Sequence, residues 1–208
     1  MGLPSETMQI QSTKAIVIKA TPFQDNQKIL SIFSEELGLA SIIIKGLSSK
    51  ASQKISLSTP LCEAEFFFSK GRSDLLVFQE GSILNLHLPL RAKLSYLETA
   101  FSLCNILMPL QMPGKPSPHL YALLSSFLKQ IPQFLCPKIL ISCFKLKILF
   151  HEGLYHPQEQ EDTLSTLEKS TLEKIALSRN FSILKEIDLP EELFLKLENL
   201  FIERTHGI

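Results

Sequence analysis

A chain of 208 residues with 45% hydrophobic content can bury a sizeable core, as one large domain or two small ones, and two are expected. Its 21 basic and 21 acidic residues cancel, which excludes any argument for nucleic-acid binding from a high overall charge. The cancellation hides a polarised chain: residues 1–93 carry 10 Lys/Arg against 8 Asp/Glu, residues 94–151 carry 5 against 1, and residues 152–208 carry 6 against 12.

Met1 to Lys14 lacks a basic segment followed by an apolar stretch, and no apolar run approaches the ~20 residues that span a bilayer. A cytoplasmic protein without a membrane partner is expected. Cys62, Cys104, Cys136 and Cys143 form no CxxC pair and no regular framework. They are expected to be buried small hydrophobes in a reducing compartment, with neither a disulfide scaffold nor a zinc knuckle.

Taken in order, five runs read as strands: Lys14–Lys19, Lys28–Phe33, Ala40–Lys45, Cys62–Phe68 and Leu75–Phe78 continuing into Ile83. Thr21-Pro22 is expected to close the first, Leu37-Gly38 to turn between the second and third, and Lys70 to Asp74 to make a hairpin. Gly46 to Ser58 is polar and without period, so it reads as a mobile surface loop. From Leu90 the spacing turns helical. Leu94, Leu97, Phe101, Cys104 and Met108 mark one helix, and Ser117-Pro118 starts another with Leu120, Leu123, Leu124, Phe127 and Leu128 as its stripe. A third runs from about Pro137 to Leu154. Beyond Pro157 the acidic stretch Gln158 to Asp162 reads as a linker, followed by amphipathic helices near 164–177 and 191–203. Strands followed by helices predict an α+β chain with two lobes: a five-stranded OB-fold β-barrel over residues 1–88 and an α-helical bundle over 89–208.

No motif for catalysis emerges. His151-Glu152-Gly-Leu-Tyr-His156 is off by one from the HExxH zinc signature, and a spacing of five turns the second histidine roughly 140° from the first. It reads as a helix end. Gly46-Leu-Ser-Ser-Lys50 lacks the second glycine of a phosphate loop, and the carboxylates of the C-terminal third read as a solvated helix face. Neither a catalytic residue, a metal nor a cofactor is expected. What stands out on the β lobe is a basic set: Lys19, Lys28, Lys45, Lys50, Lys54, Lys70 and Arg72. If the loops carrying Lys45, Lys50, Lys54, Lys70 and Arg72 meet at one mouth of the barrel, they line a groove for phosphates. Otherwise they are ordinary solubilising lysines. Phe23, Phe66, Phe67, Phe68 and Phe78 are candidate stacking platforms, though alternation sends some of them inward. On the third helix, Phe144, Lys145 and Lys147 suit a short acidic peptide with an apolar end, or else belong to a buried helix whose lysines snorkel to solvent.

The segments Ala15–Leu30, Phe33–Gly46, Ser58–Leu61 and Gly71–Leu75, in that order, resemble the RecO family, as do Phe144, Leu146 and Leu149 followed by Gly153-Leu-Tyr155. The likeness covers about residues 10–157. It implies an N-terminal OB domain that binds single- and double-stranded DNA, and a helical domain that contacts the C-terminal tail of single-strand-binding protein and works with RecR. Such proteins anneal strands and help RecA replace single-strand-binding protein, which implies a nucleoid-associated, non-enzymatic role. Lys45 with the loop and hairpin cations carries over as DNA contacts, and Phe144, Lys145 and Lys147 as the tail-binding region. Many members carry a cysteine-rich zinc insertion after the Gly-Tyr step. Here His156-Pro157 leads into the acidic stretch without cysteine, so no zinc is expected. A protein-only adaptor on an OB scaffold and a small hydrolase stand as the alternatives.

Overall fold

Branched and aromatic side chains pack well on a pleated surface, and runs rich in Ile, Val, Thr and Phe pair as strands for that reason. The computed structural model describes residues 10–48, 50–71, 74–155 and 164–206. Five strands, β1 Gln11–Gln24, β2 Gln27–Ser34, β3 Gly38–Lys45, β4 Glu63–Lys70 and β5 Leu76–Asn85, close a barrel in the order β1-β2-β3-β5-β4. All neighbours are antiparallel except β3 and β5, which meet in parallel through Ile42–Leu76 and Ile43–Val77. Because successive side chains alternate faces, one set points inward: Ala15, Val17, Leu30, Ile32, Ile42, Ile44, Ala64, Phe66 and Phe68 fill the interior with Leu57 and Cys62. The α+β expectation of an OB-fold barrel followed by helices holds.

Two local expectations are corrected. Thr21-Pro22 does not end β1, because Pro22 pairs with Lys28 beside a register shift that runs to Gln24. An irregular step in the ladder is where a residue without an N–H is tolerated. Gly46 to Ser58 is not all loop: helix α1, Ser52–Leu57, drives its buried Leu57 into the barrel core. Its six residues are too few to show a helical period. Gly38, at φ +58°, completes the β2–β3 turn, and a Cβ there would sit 2.2 Å from the Lys115 carbonyl oxygen.

The helices are α2 Leu94–Leu107, α3 Pro118–Gln130, α4 Pro137–His151, α5 Thr166–Leu177, α6 Phe181–Leu184 and α7 Glu191–Thr205. Two compact units result. One contains the barrel up to Leu88 together with Gln111–Ser125, and the other contains Pro89–Leu110 and the chain from Ser126 onward. Within the second, Phe127 meets Phe144 and Phe181 edge-on, with ring centroids 5.2 and 4.9 Å apart. Helix α4 stops earlier than the sequence suggests. Gly153, at φ +69°, lets Leu154 donate back to the Leu149 carbonyl at 2.8 Å, a left-handed helix end. His151 is therefore an exposed helix terminus, whereas His156 and the acidic stretch 158–162 lie outside the described residues. Cys62, Cys104 and Cys143 are buried, but Cys136 is exposed, since α4 begins only at Pro137. No described helix is long and apolar enough to cross a membrane.

Candidate nucleic-acid interface

Strands β1, β2 and β3 carry Lys14, Lys19, Lys28 and Lys45 and no acidic residue at all. Register decides where these cations face. Lys19 pairs with Ser31, and Ser31 with Ser41, so these three form one row across the outside of the barrel. The outward row four residues further along β3 ends in Lys45, opposite Gln27 at the tip of the β1–β2 hairpin. Four residues of strand separate Ser41 from Lys45 by ~13 Å. Both Lys19 and Lys45 are exposed. Lys28 shares the inward register of Leu30 and is half-buried at the rim.

The β1–β2 tip is tied to the end of β3. Asn26 takes φ +56° to make the turn and accepts from the Leu47 N–H at 2.9 Å. Lys54 of α1 donates from Nζ to the Lys45 carbonyl at 3.1 Å and lies 6.0 Å from the Phe78 ring centroid. Lys28, Lys45 and Lys54 therefore gather at one end of the β3 surface. Lys50 is exposed in the preceding turn. Lys70 does not join them: it pairs with Leu76, and Leu76 with Ile42. Because β3 and β5 are parallel, the β4–β5 hairpin points back toward the start of β3, away from Lys45. The described residues therefore do not bring all the loop cations to a single mouth: Lys70 lies apart from Lys28, Lys45 and Lys54. Arg72 lies outside the described residues.

Of the candidate aromatic platforms, Phe66 and Phe68 are buried in the barrel, while Phe67 and Phe78 are half-buried. Phe23 is different, 51% exposed at the β1–β2 tip beside the Lys28–Lys45 end. Alternation alone could not single it out, since the register shift next to Pro22 breaks the count.

In the helical unit, Phe144 is fully buried against Phe127, and the two lysines do not snorkel. Lys145 Nζ lies 2.5 Å from Glu198 Oε2 of α7. Lys147 Nζ donates to the carbonyls of Ala176 and Ser178 at 3.1 and 2.7 Å, capping the end of α5. Lys145 is thus engaged by α7, Lys147 by the end of α5 and Phe144 by Phe127 of α3. Among the described residues no group of three or more His, Cys, Asp or Glu is arranged to hold a metal.

Residues 8–87 match the family model described as recombination protein O N terminal, a stretch that takes in the whole barrel. Through this barrel the chain is similar to the RecO family. Over 146 residues, 70% of the chain, it is 25% identical to the DNA repair protein RecO of Listeria monocytogenes serotype 4b and 28% identical to that of Chlamydia trachomatis serovar L2. Those alignments cover 57% and 59% of the two relatives, so the match spans under two thirds of their length.

Proposed function

We propose that this chain is a RecO-like DNA repair and recombination mediator whose barrel binds single-stranded DNA along the β1–β3 surface. The observation that carries the reading is the all-cationic composition of those three strands, with Lys19 and Lys45 facing outward and Phe23 exposed beside them. Outward cations release counterions from phosphates, and an exposed ring offers a platform on which any base can stack. Neither contact reads sequence. That suits an annealing protein, which must accept every strand, and it allows double-stranded DNA to bind through the same phosphate contacts.

In this reading the chain acts without turnover in the cytoplasm, associated with the nucleoid. With RecR it helps RecA replace single-strand-binding protein, whose C-terminal tail docks near Phe144, Lys145 and Lys147. The test is anisotropy of a labelled single-stranded oligonucleotide titrated with the chain at two salt concentrations. Tight binding that weakens steeply with salt is expected. No binding even at low salt overturns the DNA reading and leaves a protein-only adaptor.

A further inference from the structure

The seam between α4 and α7 repeats itself. Lys138 forms an ion pair with Glu191 and lies 5.3 Å from the centroid of the Phe194 ring. Seven residues on, Lys145 pairs with Glu198 at 2.5 Å and lies 4.9 Å from the centroid of Phe201. Each lysine of α4 thus takes a carboxylate and the ring three residues after it, one turn apart on the same face of α7. Two copies of Glu-x-x-Phe on α7 answer two lysines on α4, and both series ascend, so the helices run parallel. A seven-residue repeat keeps such a series on one face of a helix.

Packing alone does not call for this chemistry. A seam built only for stability is served at least as well by apolar residues, because burying an ion pair costs desolvation that its attraction barely offsets. The seat is also imperfect. Glu198 Oε1 is buried with no hydrogen-bond partner among the described residues, and the Lys138–Glu191 pair is open to solvent. Residues 185–190, which lead into α7, are exposed or half-buried throughout. Charge follows the same division: residues 94–151 hold 5 basic residues and 1 acidic, whereas residues 152–208 hold 12 acidic.

We propose that the Lys138–Lys145 face of α4 is a receptor for acidic partner peptides bearing an aromatic residue three positions after a carboxylate. Helix α7 occupies that receptor in cis, and a partner peptide binds by displacing it. The proposal rests on the peptide-binding reading of Phe144, Lys145 and Lys147 and adds a gate to it. Displacing α7 uncovers Lys145, while Lys147 stays on the end of α5 and Phe144 on Phe127.

The probe is a labelled alanine-rich peptide carrying two Asp-x-x-Phe units seven residues apart, titrated by anisotropy into the full chain. Wild type binds it weakly. Glu191→Gln with Glu198→Gln frees the seat and tightens binding by about tenfold or more, since the apparent affinity scales with the fraction of open receptor. Lys145→Glu with Glu198→Lys restores the cis pair with its signs exchanged and abolishes binding. Equal affinity of wild type and the double glutamine variant overturns the gate and leaves the peptide site standing. No binding by any variant overturns both, and DNA binding measured on the same samples reports separately on the barrel. Loss of helical circular dichroism in the double glutamine variant makes α7 a fixed core element and likewise overturns the proposal.

Discussion

Tyr121 of α3 donates its phenolic hydrogen to Glu63 Oε1 of β4 at 3.0 Å, joining residues 58 positions apart inside the barrel unit. Ser125 donates to the same oxygen at 2.7 Å, and His87 Nε2 lies 3.3 Å from Oε2. Burial, then the neighbouring carboxylate, push the Tyr121 phenol well above its ordinary value. A raised folded value means the folded state holds its proton longer. The resulting stability is complete below the unfolded value near ~10 and is lost as pH climbs from there toward the folded value. Urea melts across alkaline pH should therefore show a decline beginning above about pH 10 that Tyr121→Phe lacks. At neutral pH the substitution should cost about 1.5–3 kcal/mol, the worth of a hydrogen bond to a charged group.

Phe23→Ala should weaken binding of single-stranded DNA by about 1–3 kcal/mol while leaving the thermal melt unchanged, since the ring is 51% exposed. Lys45→Gln should instead reduce the slope of log affinity against log salt by about 0.7, the value of one single-strand phosphate contact. Oligonucleotide titrations at several salt concentrations separate the two effects. An unaltered affinity in Phe23→Ala would remove the stacking platform from the interface.

Glu168 closes a capping box with Ser165 at the start of α5, accepting from the Ser165 N–H at 2.7 Å. It also accepts from Lys196 of α7 at 2.8 Å. The Lys196 hydrogen bond, followed by those from Ser165, holds its carboxyl down at about 2. A depressed folded value contributes stability above the unfolded value of ~4.3 that disappears as pH falls through the folded one. Amide protection in the first turn of α5, taken relative to the intrinsic exchange rate at each pH, should fall between about pH 4 and pH 2. Glu168→Gln should remove that pH dependence of the protection.

Thiol chemistry gives a direct check on the cysteines. Cys136 is exposed, whereas burial pushes the Cys104 and Cys143 thiols up to about 12 and leaves little thiolate to react. An aromatic disulfide reagent should titrate one thiol in the native chain and all four in denaturant, with mass spectrometry placing the native adduct on Cys136.

The strands were legible because unbroken branched or aromatic runs such as Ile16–Ile18, Ile42–Ile44 and Phe66–Phe68 stand between polar and turn-forming stretches, a signal that needs no distant partner. Helix α1 was not, since six residues cannot display a helical period and Leu57 gains its meaning only from the core it enters. The site divides in the same way. The cations of β1–β3 could be read directly, but the separation of Lys70 from Lys28, Lys45 and Lys54 depends on the parallel β3–β5 register, and no local pattern encodes that. Neither the peptide-binding nor the snorkelling reading of Lys145 and Lys147 anticipates their contacts within the chain, because the partners lie 53 and about 30 residues away, on helices whose docking the sequence does not announce.

The two residue pairs that join β3 to β5 are the shortest seam in the barrel, against eight pairs between β2 and β3. The seam also links positions 34 apart in the chain, whereas β1, β2 and β3 fold back on one another through local turns, and non-local contacts form late because their loop must close first. The ring accordingly has a clasp. The three-stranded sheet that carries Lys19, Phe23 and Lys45 can form before the clasp shuts, and local opening begins there, so the Leu76 and Val77 amides should exchange ahead of those at Leu30 and Ile32. A strand of DNA laid across β3 would lie beside that clasp, and its arrival would be felt first as slower exchange at Ile42 and Ile43.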